Sequence, residues 1–356
     1  MTRKLFIPGP IDVREDVLQK MATPMIGHRG KEVSALQKGI SEKLQKVFYT
    51  EEEILLSTSS GSGLMEGAIR SCTSRKAAVF SCGAFGDRWY KMAVTNNVKA
   101  DLYKVYMGKA ITPEYVDEVL STGEYDLITV QHNETSTGIT NPLAEIAEVV
   151  KKYPDVIFCV DAVSSAGGMK IEVDKWGIDI LVTSTQKALG LPPGMAICTF
   201  SKKAVERAEK VEFRGTYFDL LAMYKYLKKK NYQYPSTPSI SHMYALDYQL
   251  NNILEEGLEN RFRRHEEVAK VVREWAENNF KLFTDPKYLS NTLTVIENTK
   301  NIDVSQLNSK LQEKGMQIAN GYGDLKEKTF RISHMGDYQI EDIQYLLETI
   351  DEILGL

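Results

Sequence analysis

The residue types that could do chemistry stand at three places in the chain. Lys187 lies in Thr183-Ser184-Thr185-Gln186-Lys187-Ala188-Leu189-Gly190-Leu191-Pro192-Pro193-Gly194, directly after the apolar run Ile178 to Val182. An amine drawn inward at the end of a buried strand loses hydration, so its pKa falls and it becomes a better nucleophile. A solvated strand-end cap is the plainer reading of the same lysine. Asp161 ends a second apolar run, Val156 to Val160, and small residues follow it as far as Gly168. The third place is Ser57-Thr58-Ser59-Ser60-Gly61-Ser62-Gly63, between the short strand pattern Ile54 to Leu56 and a helix expected to start at Leu64. Free N–H groups at such a helix start, together with the helix dipole, favour an anion. Ordinary N-capping explains the serines equally well, and without G-K-[ST] the turn is not a Walker loop.

An amine and a carboxylate at adjacent strand ends can be a structural ion pair. With an anion-binding turn beside them they suit pyridoxal phosphate, whose chemistry needs each part. The lysine forms a Schiff base with the aldehyde and then moves the substrate Cα proton. The carboxylate keeps the ring nitrogen protonated, so that the ring accepts electrons. The turn takes the phosphate on backbone N–H groups, and an aromatic side chain stacks on the ring.

The elements that would position these groups follow an alternating pattern. Lys31 to Phe48 carries Val33, Leu36, Ile40, Leu44, Val47 and Phe48 at helical spacing. Strand patterns at Ala77–Phe80, Ala100–Tyr106, Asp126–Val130, Val156–Val160, Ile178–Val182 and Met195–Phe200 are separated mostly by helical ones. This predicts an α/β fold with a mainly parallel sheet covered by helices on both faces. Ligand sites in such sheets lie at the C-terminal strand ends, where the Ser60 turn, Phe85, Thr135, Asp161 and Lys187 fall. A helix-rich segment is expected over Phe213–Lys230, then a proline-broken loop at Tyr232–Pro238 and mostly helix over Ser239–Lys281. Beyond it, strands at Thr292–Ile296, Gln317–Ala319 and Thr329–Ile332 alternate with helices at Val304–Lys314 and Ile340–Leu354. The expected division is an N-terminal arm over 1–15, a large domain over 16–257 and a small α+β domain over 258–356. The arm, with Phe6-Ile7-Pro8-Gly9-Pro10, reads as extended and available to pack on another subunit. His28-Arg29 between glycines reads as a surface turn or as an anion-contacting loop.

The whole chain limits the function classes. Its 356 residues carry a net charge of -4, with 43% hydrophobic and 26% charged residues. Nothing in that balance favours nucleic acid or an anionic membrane as a partner. The basic cluster Lys225, Lys228, Lys229 and Lys230 reads as a solvated helix end. No run approaches the roughly 18 apolar residues of a membrane span, and the N-terminal apolar run is too short for a signal peptide; the cytoplasm is expected. Cys72, Cys82, Cys159 and Cys198 form no C-x-x-C pair, so neither a metal site nor a disulfide framework is expected.

With these motifs in hand, the chain resembles class V aminotransferases of the alanine–glyoxylate / serine–pyruvate type, within fold type I of the pyridoxal-phosphate enzymes. The resemblance rests on Pro8-Gly9-Pro10, Ser60-Gly61-Ser62-Gly63, Glu134-Thr135-Ser136-Thr137-Gly138, Val160-Asp161-Ala162-Val163, Ser184-Thr185-Gln186-Lys187-Ala188, Pro192-Pro193-Gly194 and Phe330-Arg331-Ile332-Ser333. It implies that Lys187 carries the Schiff base, Asp161 pairs with the pyridinium nitrogen and Val163 packs on the ring. Phe85, where the animal enzymes have Trp, would stack on the ring, and Thr135 would bond the ring hydroxyl. Backbone groups of Ser62, Gly63 and Leu64 would cradle the phosphate, with Gln186 helping; Leu64 replaces a common His, so only its backbone contact carries over. Tyr234 and Thr237 would reach the phosphate of a neighbouring subunit, which implies a homodimer with shared sites. Arg331 would bind the substrate α-carboxylate as a bidentate fork. Serine or alanine is the implied donor, with pyruvate or glyoxylate as acceptor. Aspartate is the alternative, with Arg29 or His334 as the second cation that its distal carboxylate would want. A desulfurase-like lyase would need a mobile C-terminal cysteine, and the last one here is Cys198. Phosphoserine aminotransferases differ in their phosphate-binding turn.

Overall fold

Continuous apolar runs become strands buried on both faces, and these organise a computed structural model that describes residues 3–356. In chain order it begins with β1 (Lys4–Phe6), α1 (Glu15–Lys20), α2 (Lys31–Phe48), β2 (Glu53–Ser57), α3 (Gly61–Cys72), β3 (Ala77–Ser81), α4 (Ala84–Thr95) and β4 (Ala100–Lys104). Then come α5 (Pro113–Leu120), β5 (Leu127–Gln131), β6 (Asn133–Glu134), β7 (Ile139–Thr140), α6 (Leu143–Val150), β8 (Ile157–Asp161), α7 (Val173–Trp176), β9 (Ile180–Ser184) and β10 (Ala196–Phe200). The chain continues through α8 (Lys202–Ala208), α9 (Leu220–Lys229), α10 (Ile240–Glu256) and α11 (Leu258–Asn279). It ends with β11 (Lys281–Leu282), β12 (Leu293–Glu297), α12 (Val304–Glu313), β13 (Met316–Asn320), β14 (Thr329–Ser333) and α13 (Ile340–Leu354).

The larger sheet has the order β2-β10-β9-β8-β5-β3-β4. Strands β4, β3, β5, β8 and β9 pair in parallel, while β10 runs antiparallel to both β9 and β2. Two reversals return β2 to the common direction. The C-terminal ends of β2, β3, β5, β8 and β9 therefore share one edge of the sheet, and the loops after them meet there. β3, β5, β8, β9 and β10 are buried along their whole length, as helices on both faces require.

The second sheet has the order β1-β13-β14-β12-β11 and is antiparallel except where β1 joins β13. Its core takes side chains from α11, α12 and α13. The N-terminal segment, expected as an extended arm, contributes an edge strand to this sheet of its own chain. Phe6 is fully buried and stacks on Tyr338 at 4.7 Å. Burying a phenylalanine contributes about 1.5–3 kcal/mol, of the same order as the cost of ordering one or two residues of backbone. Asp12 completes the anchor, accepting from the Leu5 N–H at 3.1 Å and the Tyr338 hydroxyl at 2.8 Å.

Two other expectations shift. The helix expected at Leu64 starts at Gly61, so the Gly/Ser run is already its first turn. Glycine's low helix propensity is outweighed there by close packing. A Cβ at Gly61 would sit 2.8 Å from Val163 Cγ2, and one at Gly63 would sit 2.6 Å from the Phe218 ring. In the segment Phe213–Lys230 only Leu220–Lys229 is helical, opened by Asp219, whose side chain accepts from Leu221 and Ala222 N–H groups.

Candidate active site

The shared sheet edge opens into a cavity of about 260 Å³ lined by Ser60, Gly61, Ser62, Phe85, Thr135, Asp161, Val163, Gln186 and Lys187, all in or beside the sequence motifs. Met65, Arg88, Ser184 and Tyr322 complete the wall. The groups arrive from the ends of several strands, β2, β3, β6, β8 and β9, which is why residues far apart in sequence converge.

Asp161 is the last residue of β8, buried, with the Val163 N–H donating to one oxygen at 2.9 Å and Trp89 Nε1 to the other at 3.4 Å. Burial pushes its carboxyl up to about 7, opposed by those donors and by Lys187. Lys187 follows β9. Burial brings its amine down to about 8, and Arg331 and Arg88 push the same way. Its Nζ donates to the Pro8 carbonyl. A Cβ at Gly9 (φ +112°) would lie 2.8 Å from that Nζ, so the N-terminal segment packs directly on the amine and needs glycine there.

Glu134 shapes the wall that carries Phe85. Its fully buried carboxylate accepts from the N–H groups of Phe85 (3.1 Å), Gly86 (3.2 Å) and Ser136 (3.0 Å), and from the Ser136 hydroxyl at 2.6 Å. It thus satisfies the otherwise orphan donors at the start of α4. Thr135 donates to Ser164 Oγ at 2.9 Å. Arg331, on β14, stands just behind the lining. Its Nε donates to the Asn320 carbonyl at 3.0 Å and Nη1 to the Thr135 carbonyl at 3.3 Å. Its guanidinium lies 5.5 Å from the centre of the Tyr322 ring. Burial lowers its pKa to about 10, so it stays charged at neutral pH.

The wall fits pyridoxal phosphate. Ser184 Oγ and Gln186 Oε1 are buried in it without a partner among the described residues. No side chain caps α3 at Ser60, and of its first-turn N–H groups those of Gly61 and Ser62 are left for an anion, while the Gly63 N–H donates to the Ser60 carbonyl at 2.9 Å. Asp161 is a buried carboxylate without a cation bonded to it, suited to a protonated ring nitrogen.

A profile of the family "Aminotransferase class-V" matches residues 15–346. The chain belongs to this family. It is 43% identical over 340 residues to an uncharacterized aminotransferase of Methanocaldococcus jannaschii, covering 93% of this chain and 87% of that one. It is 32% identical to the L-aspartate–glyoxylate aminotransferase of Paracoccus denitrificans, over 93% of this chain and 86% of the other. Its fold superposes on the crystal structure of an alanine–glyoxylate aminotransferase from Nostoc sp. with a TM-score of 0.92 and 28% identity, covering 99% and 96% of the two chains. As a class V aminotransferase, the chain is a transaminase of fold type I that uses pyridoxal phosphate.

The remaining expected site residues are elsewhere. Leu64, on α3, is buried in the core, and neither it nor Gly63 is part of the cavity lining. Tyr234 is buried and Thr237 exposed; neither lines the cavity of its own chain. Neither Arg29 nor His334 lines the cavity of its own chain. Arg29 donates to the carbonyls of Tyr234, Pro235 and Ser236 and stands over the Tyr226 ring, which ties down the loop holding Tyr234 and Thr237. His334 is fully buried, bonds Thr294 Oγ1 at 3.0 Å, and is pushed down to about 3 by burial, so it is neutral. His28 is half-buried and outside the lining.

Arg88 was missed, although a signal existed: it lies three residues after Phe85 on α4, hence on the same helix face. Its guanidinium stands 4.9 Å over the Phe85 ring, with Ser62 Oγ and the Tyr322 hydroxyl each at 3.4 Å. Tyr322 had no sequence signal, because it reaches the cavity from the loop after β13. Among the described residues no group of His, Cys, Asp and Glu is placed to hold a metal, and no helix is long and apolar enough to cross a membrane.

Proposed function

We propose that this aminotransferase moves the amino group of a small amino acid, serine or alanine, to pyruvate or glyoxylate. The observation that carries the reading is the convergence of Lys187, Asp161 and the Ser60–Ser62 turn on one cavity, with Arg331 against its wall. The cavity measures about 260 Å³, below the roughly 300–1,000 Å³ usual for small-molecule sites, and Arg331, which would take the donor's carboxylate, stands outside its lining; the choice of a small donor rests on the motifs shared with alanine- and serine-type enzymes. The name of the Nostoc relative is in keeping with this.

Pyridoxal phosphate, when bound, supplies the ring that accepts electrons from the substrate Cα. The chain's own residues do the rest. Lys187 would hold the cofactor covalently and carry the proton to and from Cα. Asp161 would keep the proton on the ring nitrogen. Val163 and Phe85 would pack on the ring, Thr135 would bond its hydroxyl, and Ser62, Gly63, Leu64 and Gln186 would hold the phosphate. Arg331, its plane set by Asn320 and Thr135, binds the α-carboxylate.

One observation favours a second donor, aspartate: Arg88 is a second cation in the same cavity, and the Paracoccus relative is named for aspartate. A desulfurase-like lyase finds no nucleophile. All four cysteines are fully buried, and burial pushes their thiols up. The unpaired thiols are in keeping with a cytoplasmic location. A homodimer belongs to the same reading. Thr237 is exposed and reaches no site in its own chain, and Phe213 and Tyr217 expose large aromatic surfaces.

Single-turnover mixing with L-serine, L-alanine and L-aspartate separates the donors by the loss of the absorbance of the Lys187-linked cofactor. Conversion by serine or alanine is expected. Conversion by aspartate alone selects the second reading, and a purified protein that is colourless and takes up no added pyridoxal phosphate ends both.

A further inference from the structure

Arg261 is the largest buried charged side chain outside the cavity, 1% exposed, in the first turn of α11. All three nitrogens of its guanidinium donate. Nη2 donates to the Ala188 carbonyl at 2.8 Å and Nε to the Gly167 carbonyl at 2.7 Å. Nη1 donates to Glu256 Oε2 at 2.8 Å and to Asp337 Oδ1 at 2.9 Å. Ala188 directly follows Lys187. Asp337 lies four residues past the end of β14, the strand that carries Arg331. One planar group therefore joins the backbone of the lysine loop to the segment that continues the arginine strand.

The surroundings make this joint rigid. Gln249, fully buried, donates to the other Asp337 oxygen at 3.0 Å. A Cβ at Gly190, where the lysine turn closes, would meet Gln249 Nε2 at 2.8 Å and Asp337 Oδ2 at 3.2 Å. His265 Nε2 accepts from the Gly336 N–H at 3.1 Å, and its Nδ1 lies 2.8 Å from the Arg261 carbonyl. Because Gly336 can only donate, His265 is the neutral Nδ1–H tautomer, and burial holds it neutral. Arg264 donates to both Glu256 oxygens and to the carbonyls of Gly336 and Tyr338.

We propose that Arg261 is a positioning residue for the transamination: it sets the Lys187 amine in register with the Arg331 guanidinium. The proposal rests on the roles given above to Lys187 and Arg331. Arg261 touches neither substrate nor cofactor. It acts through the Ala188 carbonyl on one side and Asp337 on the other. A substrate held at its α-carboxylate by Arg331 presents its Cα at a fixed distance, and the amine must meet that point; a misplacement of about 1 Å can cost roughly 10²-fold in rate.

The test uses the holoenzymes of Arg261→Gln, Arg261→Lys and Asp337→Asn. Three readouts are taken: the KM-against-kcat split for the donor, the pH midpoint of the absorbance of the Lys187-linked cofactor, and Tm. We expect kcat to fall about 10²-fold in Arg261→Gln with donor KM within about twofold, because carboxylate binding at Arg331 survives while the amine is misaligned. The pH midpoint is expected to move, and Arg261→Lys to recover only part of kcat, since a compact ammonium with three donors cannot span the four acceptors that the guanidinium fork reaches. If Arg261→Gln fails to fold, Asp337→Asn carries the test and is expected to show the same split in smaller measure. A lower Tm with kcat and pH midpoint unchanged in the folded variants would overturn the proposal and leave Arg261 merely structural. Failure of the underlying reading looks different: Lys187→Ala would then still transaminate, or borohydride would not fix the cofactor to the parent protein.

Discussion

At the scale of residues, the site is a set of ionisable groups displaced by burial. Lys187 near 8 means that the neutral, nucleophilic fraction of the amine grows as pH rises through about 8. The rate at which apoprotein captures pyridoxal phosphate should therefore rise through pH 8 and level off above it, as stopped-flow absorbance would report. A flat profile between pH 7 and 9 would contradict a buried, depressed amine. Lys187→Ala should lower turnover by about 10²–10⁴-fold or more without lowering the apoprotein Tm, because it removes a charge that burial disfavours. Asp161 has the opposite sign. Its folded pKa of about 7 lies above the ordinary 3.8, so the folded apoprotein holds a proton that the unfolded chain releases. That contribution to stability is complete below pH 3.8 and is lost as pH rises through 7. Asp161→Asn apoprotein should accordingly melt a few degrees above the parent at pH 8, with the gap closing below pH 7, while its turnover collapses. The residue types and order of this pair were legible in sequence; the direction of each shift came from burial, which the local sequence only implied.

The elements do the placing. Helix α3 illustrates how a local rule loses to packing. Glycines argue for a later helix start, yet Gly61 and Gly63 are in the first turn because Val163 and Phe218 occupy the space of a Cβ. Gly63→Ala should overpack that contact and destabilise the fold by about 1–3 kcal/mol. It should also weaken cofactor binding, measured by Tm and by titrating the apoprotein with pyridoxal phosphate. An unchanged Tm would mean that the helix start tolerates a side chain. The N-terminal segment is the second case. Three residues of strand pattern are too few to read from periodicity, and the partner, β13, is more than 300 residues away. Phe6→Ala should cost about 3–5 kcal/mol in chemical denaturation and loosen the segment that packs on Lys187.

Across the whole molecule, the two sheets hold different parts of the proposed site: the larger one presents Lys187, Asp161 and the Gly/Ser turn, and the smaller one brings Arg331 and Tyr322. Arg331→Ala should raise the donor KM about 10- to 100-fold, the worth of a charge-assisted hydrogen bond, with a smaller effect on kcat; an unchanged KM would refute the assignment. Arg88→Gln discriminates the donors in the same assay. If a distal carboxylate binds there, the variant loses aspartate turnover and keeps alanine turnover.

By itself the sequence determined the alternation of strands and helices, and with it the edge of the sheet where chemistry must occur, because apolar periodicity and chain reversals are local properties. It also offered Lys187, Asp161 and the Gly/Ser turn as candidates, which the structure brings to one cavity. Tertiary structure alone placed Arg88 in the cavity wall. Of the two cations the sequence offered, Arg29 bonds a loop's carbonyls and His334 is buried and neutral. Tertiary structure also decided that Pro8 and Gly9 pack on the amine and that Arg261 reaches the lysine loop from another helix. Those contacts join residues tens to hundreds of positions apart, and their energetics depend on distance and burial, which no local pattern of side chains encodes.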